Sequence, residues 1–265
     1  MAPGSGLARE ERGAGRPVLF IHGLTFDRHL LLETTEPVFA APNALHARRV
    51  YIDLPGHGET AADASAASAE GLVATLARAY DELVGEEAGV VVGHSYGGYL
   101  ALALAGCRKV HALVLVTPVV EPDVARRQPA PRRIIGPDDL RYSASGSERA
   151  TFEEVAVLQT SAVIAAYQRL VQPASDRTDR AFLAEVRARY VYPAPIVSRL
   201  DESMPVSIVC GRDDHWCGYT DAQALLRALP SAELSVLPGC GQLLPIEQPE
   251  RYLRFMEQAL RRALD

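Results

Sequence analysis

The chain has 265 residues, of which 48% are hydrophobic and 23% charged, a composition that excludes disordered, collagen-like and disulfide-rich proteins. Its formal net charge is −6, and the sequence has neither the basic balance nor the basic stripe of a nucleic-acid-binding protein. No apolar run approaches the ~20 residues that span a bilayer. Residues 1–17 also lack the apolar segment of a secretion signal. We therefore expect a cytoplasmic protein with no nucleic-acid or membrane partner.

Short apolar runs alternate with longer helical patterns, which is typical of a parallel sheet covered by helices. The runs lack polar alternation, as strands buried on both faces do. They are residues 18–21, 49–54, 89–92, 110–116, 206–210 and 234–237. Apolar residues at helical spacing predict helices at 68–84, 96–105, 219–229 and 249–264.

One long stretch interrupts this alternation. Residues 118–205 contain no convincing strand, but they show helical patterns at 148–170 and 179–190. We interpret the stretch as a helical lid over one end of the sheet. The predicted organisation is an α/β core of residues 1–118 and 205–265 with a helical cap of residues 119–204.

The sequence Gly93-His94-Ser95-Tyr96-Gly97 follows one predicted strand and precedes a predicted helix. In this context GxSxG marks a sharp turn that holds a serine in a strained conformation, with glycines where larger side chains would collide. The turn places the hydroxyl at a helix N-terminus, where N–H groups favour negative charge. Ser95 is therefore a candidate nucleophile.

A second signal, His22-Gly23-Leu24, ends the first predicted strand. Acyl transfer needs two N–H donors for the oxyanion of its tetrahedral intermediate. The main-chain N–H groups of Leu24 and Tyr96 are the candidates for this oxyanion hole.

Together with three further segments, these motifs resemble the α/β-hydrolase superfamily, in particular its esterase and haloperoxidase-like members. The resemblance runs from about residue 18 to the C-terminus and implies the α/β-hydrolase fold, with the cap inserted after the sixth family strand. The matching segments are residues 22–23, 53–58, 93–97, 211–214 and 241–250, in the family's order. Only residues 7–12 are available for an early strand, so the family's usual antiparallel edge should be shortened.

The resemblance also implies a Ser-acid-His triad. In similar proteins the acid lies three residues after the glycine of its loop, which selects Asp214 over Asp213. The family's closing Gly-His-x-x-Pro-x-Glu-x-Pro-Glu is matched by residues 241–250, except that the histidine position holds Gln242. An amide can donate and accept hydrogen bonds but cannot accept the serine proton. His215, His94 and His57 could be considered as replacements, but structural roles are favoured for all three.

Three functions are compatible with this site. The first is a hydrolase-type enzyme acting on an ester, thioester, amide or lactone through Ser95, with activity impaired or altered by Gln242, whether that residue is natural or engineered. The second is a lyase, isomerase or cyclase that uses Asp214, His215 or Tyr96 without serine acylation. The third is a non-catalytic binding protein. We rank them in that order.

The substrate is expected to be a small to medium-sized organic molecule in a partly apolar pocket. Candidate contacts are His22, Trp216, Tyr142 and Tyr167. The four cysteines show no metal-ligand spacing, and nucleotide and flavin motifs are absent from the sequence, so we expect no cofactor and no metal. The sequence leaves the oligomeric state open.

Overall fold

A computed structural model describes residues 6–40, 45–85, 87–136 and 146–265. These residues form a seven-stranded sheet in the order β1-β3-β2-β4-β5-β6-β7. The strands are β1 (Arg9–Arg12), β2 (Arg16–Ile21), β3 (Ala47–Ile52), β4 (Val90–His94), β5 (Ala112–Val116), β6 (Val206–Gly211) and β7 (Ala232–Leu237). Only β1 is antiparallel to its neighbour, and every other pair is parallel. The mostly parallel sheet is confirmed, and the early strand is short.

Helices cover both faces of the sheet. They are α1 (Arg28–Thr35), α2 (Ala69–Val84), α3 (Tyr96–Ala105), α4 (Gly146–Val155), α5 (Ser161–Leu170), α6 (Gln172–Arg177), α7 (Arg180–Ala188), α8 (Tyr219–Ala228), α9 (Leu244–Glu247) and α10 (Pro249–Leu264). Short 3-10 helices lie at Glu36–Phe39, Ala64–Ala66 and Val197–Arg199. Within the described ranges, no helix has both the length and the apolar character needed to cross a membrane.

The central strands are apolar along their whole length because both faces of the sheet are buried. In β2, Leu19 and Ile21 pack into a cluster with α2, α3 and α8. Val18 and Phe20 point to the other face, where their cluster includes residues of α1 and α10. Alternate side chains along one strand therefore enter two different cores.

Between β5 and β6 the described residues form four α-helices, α4 to α7, the 3-10 helix Val197–Arg199, and one isolated bridge between Ile135 and Leu158. The helical pattern predicted at residues 148–170 corresponds to two helices, since α4 ends at Val155 and α5 begins at Ser161. The break is stabilised by Thr160, whose side chain accepts a hydrogen bond from the N–H of Val163 at 3.3 Å and caps α5.

Candidate active site

Ser95 lies at the turn between β4 and α3 with φ 55° and ψ −122°, a conformation that L-residues rarely adopt. The turn is tight because its glycines face main-chain atoms. A Cβ on Gly97 would overlap the carbonyl oxygens of Ile21 and His22. The N–H of Ser95 donates to the carbonyl of Val116 at 3.0 Å, which fixes the turn to the neighbouring strand. The strained elbow predicted for Ser95 is present.

The segment that follows β2 runs directly beside Ser95. A Cβ on Gly23 would lie 2.8 Å from the Ser95 Cβ and 3.2 Å from its Oγ. In the described part of the chain, the N–H groups of Leu24 and Tyr96 donate to no protein acceptor. Tyr96 is the first residue of α3, where N–H groups are free and the helix dipole is positive. The chain therefore has two unused donors near Ser95, where the sequence predicted an oxyanion hole.

His22 holds this segment in place. Its Nε2 accepts a hydrogen bond from the N–H of Leu54 at 2.9 Å, so the ring proton is on Nδ1, which donates to the carbonyl of Gly23 at 2.7 Å. Burial lowers the pKa of His22 to about 4, so the ring is neutral. Both ring nitrogens are bonded to the main chain, which favours a role in shaping the loop over the substrate contact predicted from sequence.

Asp214 is fully buried in the loop that follows β6, residues 211–218, here called the Asp214 loop. Its Oδ1 accepts hydrogen bonds from the N–H groups of Trp216 at 2.8 Å and Cys217 at 2.9 Å. Its Oδ2 has no partner among the described residues. Burial raises the pKa of Asp214 to about 7, although the two N–H donors oppose the shift.

The adjacent Asp213 has a different environment. It is partly exposed, and its Oδ2 accepts the N–H of Gly239 at 2.8 Å, while Arg133 lies 3.7 Å from its other oxygen. These contacts give Asp213 a structural role, because they tie its loop to Gly239 and Arg133. Among the described residues of this loop, Asp214 has a buried carboxylate oxygen, Oδ2, that forms no hydrogen bond.

Gln242 lies in residues 239–247, which comprise a loop and the short helix α9 and are here called the Gln242 loop. Its main-chain carbonyl accepts a hydrogen bond from Nε2 of His94 at 3.1 Å, which ties the loop to the Ser95 turn. On the other side, a Cβ on Gly241 would lie 3.4 Å from the Cα of Asp214. The Gln242 side chain is only 5% exposed, and neither its Oε1 nor its Nε2 has a hydrogen-bond partner within the described ranges. The amide of Gln242 is therefore buried and forms no hydrogen bond to the described residues.

The remaining histidines near the site are bonded to main-chain oxygens. Nε2 of His94 donates to the main-chain carbonyl of Gln242, and Nδ1 of His57 lies 2.9 Å from the carbonyl of Pro55. Nε2 of His215 lies 2.6 Å from the carbonyl of Glu154. Burial lowers the pKa of both His94 and His57 to about 4. These contacts support the structural roles expected for all three.

The structure separates the candidate substrate residues. Trp216 is on the Asp214 loop and 40% exposed. Tyr167 is buried within the core of α4 and α5, with its ring 5.1 Å from that of Phe152. Tyr142 lies outside the described residues. The Trp216 position is compatible with a substrate contact, whereas the Tyr167 position is that of a packing residue.

The Tyr96 side chain is directed toward the insertion rather than used as a free hydroxyl. Its OH donates to the carbonyl of Tyr190 at 2.9 Å, and the two rings stack with centroids 4.1 Å apart. Burial also raises the pKa of Tyr96. The hydroxyl of Tyr96 is therefore already bonded, and its main-chain N–H is the group that remains free to act beside Ser95.

Sequence reasoning missed Glu247, although it belongs to the Pro-x-Glu-x-Pro-Glu segment quoted above. Glu247 is 3% exposed, and its carboxylate accepts three main-chain N–H groups. Burial raises its pKa to about 7 against those bonds. The signal available in the sequence was a glutamate directly after the apolar run Leu243-Leu244-Pro245-Ile246, because a charge that is buried with such a run needs partners.

Within the ranges described, no group of three or more His, Cys, Asp or Glu side chains is arranged to hold a metal ion. All four cysteines are free, and Cys210, Cys217 and Cys240 are buried. Burial raises the pKa of each of these three thiols. Buried thiols without a disulfide or a charge partner pack as small apolar side chains.

The model of the alpha/beta hydrolase family matches residues 18–255, and the chain belongs to this family. A crystal structure of an alpha/beta superfamily hydrolase from Oenococcus oeni PSU-1 is similar, with a TM-score of 0.90 and 26% identity over 98% of this chain and 97% of that one. The family supports a hydrolase-type function.

Two curated relatives are also similar. The chain is 26% identical to the "putative 2-succinyl-6-hydroxy-2,4-cyclohexadiene-1-carboxylate synthase" of Bacillus subtilis, over 96% of this chain and 93% of that protein. It is 37% identical to the dihydrolipoyllysine-residue acetyltransferase component of the acetoin cleaving system of Cupriavidus necator. That match covers 40% of this chain and only 28% of the acetyltransferase component.

Proposed function

We propose that this protein is a hydrolase-type enzyme for an ester, thioester, amide or lactone, with Ser95 as the nucleophile. The observation that carries the proposal is the strained Ser95 turn beside the unused N–H groups of Leu24 and Tyr96. A serine with positive φ has a conformational cost, and two N–H groups without an acceptor lose hydrogen bonds that the unfolded chain makes to water. Both costs are accounted for if a substrate carbonyl oxygen binds the two donors and gains negative charge there.

Gln242 limits the rate at which Ser95 can attack a substrate, because an amide cannot remove the serine proton. Its Oε1 can accept the Ser95 hydroxyl and its Nε2 can donate to Oδ2 of Asp214, so the amide can orient the nucleophile without removing its proton. In subtilisin, loss of the triad histidine costs on the order of 10⁶ in kcat. Ser95 is therefore expected to react slowly, and with esters that have good leaving groups first.

The proposal includes the architecture around the site. Residues 119–204 form a cap over the core of residues 1–118 and 205–265, and the substrate is a small molecule bound between them. Trp216, on the Asp214 loop, is the favoured contact among the predicted substrate residues because part of its surface is exposed. The cytoplasmic location expected from the sequence belongs to the same proposal.

A lyase, isomerase or cyclase reaction is the second candidate. It is favoured by the absence of a base at position 242 together with a relative named as a synthase that aligns over 96% of this chain. In that reaction the N–H groups of Leu24 and Tyr96 would hold an enolate oxygen rather than a tetrahedral intermediate.

The test compares p-nitrophenyl acetate hydrolysis by the wild type and Gln242→His, each with and without Ser95→Ala. General base catalysis contributes about 10²–10⁴-fold, and we expect Ser95-dependent turnover to rise by at least about 10²-fold in Gln242→His. The matched control is Gln248→His, which adds a histidine six residues further along but not beside Asp214. No Ser95-dependent gain in a folded Gln242→His variant would refute the hydrolase proposal and favour the second candidate or simple binding.

A further inference from the structure

The end of α4 and the residues after it contact both loops that carry predicted site residues. The carbonyl of Glu154 accepts hydrogen bonds from Nε2 of His215 at 2.6 Å and from Nε1 of Trp216 at 3.4 Å, both on the Asp214 loop. Residues 154–158, here called the bridging segment, also contact the Gln242 loop. One short piece of the cap is thus bonded to both sides of the site.

Glu247 makes the contact with the Gln242 loop. Its Oε1 accepts the N–H of Val157 at 2.6 Å and that of Leu158 at 2.9 Å, both in the bridging segment. Its Oε2 accepts the N–H of Gly241 at 2.6 Å, within its own loop. The two carboxylate oxygens thus accept hydrogen bonds from three donors that converge from two parts of the chain.

Tight apolar packing surrounds these bonds. A Cβ on Gly241 would lie 2.6 Å from Cγ2 of Val157, so the bridging segment presses directly on the main chain next to Gln242. Leu243 and Ile246 belong to one buried cluster with residues of α4 and α5. The hydrogen bonds to Glu247 therefore lie in a buried and mainly apolar region.

We propose that Glu247 is a positioning residue that couples the cap to the site by holding the bridging segment and the Gln242 loop as one unit. The Gly241 N–H that it binds precedes Gln242 directly, and the bridging segment is bonded in turn to the neighbour of Asp214. A cap movement that shifts residues 154–158 must therefore either carry Gln242 with it or break the bonds to Glu247. The functional meaning of this coupling rests on the proposed function, but its structural part does not.

The first test uses the wild-type protein and measures native-state hydrogen exchange at the amides of Val157, Leu158 and Gly241 in increasing denaturant. If Glu247 couples them, the three amides open with the same free energy and the same denaturant dependence. Exchange of Gly241 at a different free energy from that of Val157 and Leu158 would overturn the inference.

The second test replaces Glu247 by Gln in the Gln242→His background. Gln offers one acceptor oxygen and turns an NH₂ group toward a donor, so at least one bond is lost. We expect protection at the three amides and kcat for p-nitrophenyl acetate each to fall about 10-fold, with KM changed less than about twofold. The matched control is Glu36→Gln, a half-buried carboxylate bonded to Arg49 and Tyr51 away from the cap, which should leave kcat and this protection pattern unchanged.

The outcomes separate the two proposals. A fall in protection with no ester turnover in any variant would support the coupling and refute the hydrolase. Unchanged protection in Glu247→Gln would overturn the coupling whatever the activity. If Glu247→Gln does not fold, the exchange pattern of the wild type decides.

Discussion

Replacing Asp214 by Asn should remove a costly ionisation next to the site. The side chain is fully buried, and burial raises its pKa from 3.8 to about 7 despite the N–H groups of Trp216 and Cys217. Asn has the same shape and keeps an oxygen for both N–H groups. Its NH₂ replaces Oδ2, which has no partner within the described ranges.

The sign of the effect follows from proton binding. Between pH 3.8 and about 7 the native protein keeps a proton that the unfolded chain has lost, so stability falls as the pH rises through this interval. A pKa difference of about 3 corresponds to about 4 kcal/mol. Because Asn does not titrate, the free energy of unfolding of Asp214→Asn relative to wild type should rise by about 4 kcal/mol between about pH 4 and pH 8. Glu247, whose pKa is also about 7, titrates in both proteins and largely cancels.

The assay is urea denaturation followed by circular dichroism at several pH values across this range. Asp213→Asn is the matched control, since it changes the adjacent but partly exposed carboxylate, and it should lack the gain at high pH. A stability difference between Asp214→Asn and wild type that does not change with pH would refute the argument that burial opposes ionisation of Asp214.

Two further substitutions test the surroundings of Ser95, namely the hydroxyl of Tyr96 and the close packing of Gly23. Tyr96→Phe should leave ester turnover unchanged in the Gln242→His background and lower the free energy of unfolding by about 1 kcal/mol. The reason is that the hydroxyl donates to the carbonyl of Tyr190. A large loss of turnover at unchanged stability would instead show that the hydroxyl takes part in the reaction. Gly23→Ala should slow labelling of Ser95 by a fluorophosphonate about 10²-fold, since the new Cβ would lie 2.8 Å from the Ser95 Cβ. The labelling rate is measured by mass spectrometry, and a rate equal to that of the wild type would contradict this prediction.

Parts of the site that depend on local geometry could be predicted from the sequence. The spacing of Gly93, Ser95 and Gly97 between an apolar strand and a helix predicted a strained turn, and φ of 55° at Ser95 agrees with it. Gln242 was identified because the residues around it match a family segment. In both cases the information lies within about ten neighbouring positions.

The contacts of Glu247 and the orientation of Tyr96 could not be read in the same way. The carboxylate of Glu247 is bonded to Val157, 90 residues away, and the hydroxyl of Tyr96 is bonded to Tyr190, 94 residues away. Helical periodicity also continued across residues 156–160, where the structure has a break between α4 and α5. There the chain meets Glu247 and Ile135, and these tertiary hydrogen bonds replace those of a continuous helix.

The sequence by itself determined the parallel sheet, the serine turn and the chemical identity of position 242. Burial on both faces demands continuous apolar strands, a sharp turn demands glycine, and an amide cannot act as a base. Only the tertiary structure decided which polar atoms near Ser95 are bonded and which are left free. Oδ2 of Asp214 and the amide of Gln242 have no partner in the described part of the chain, while Glu247 has three. That distribution depends on how distant segments meet, and no local pattern encodes it.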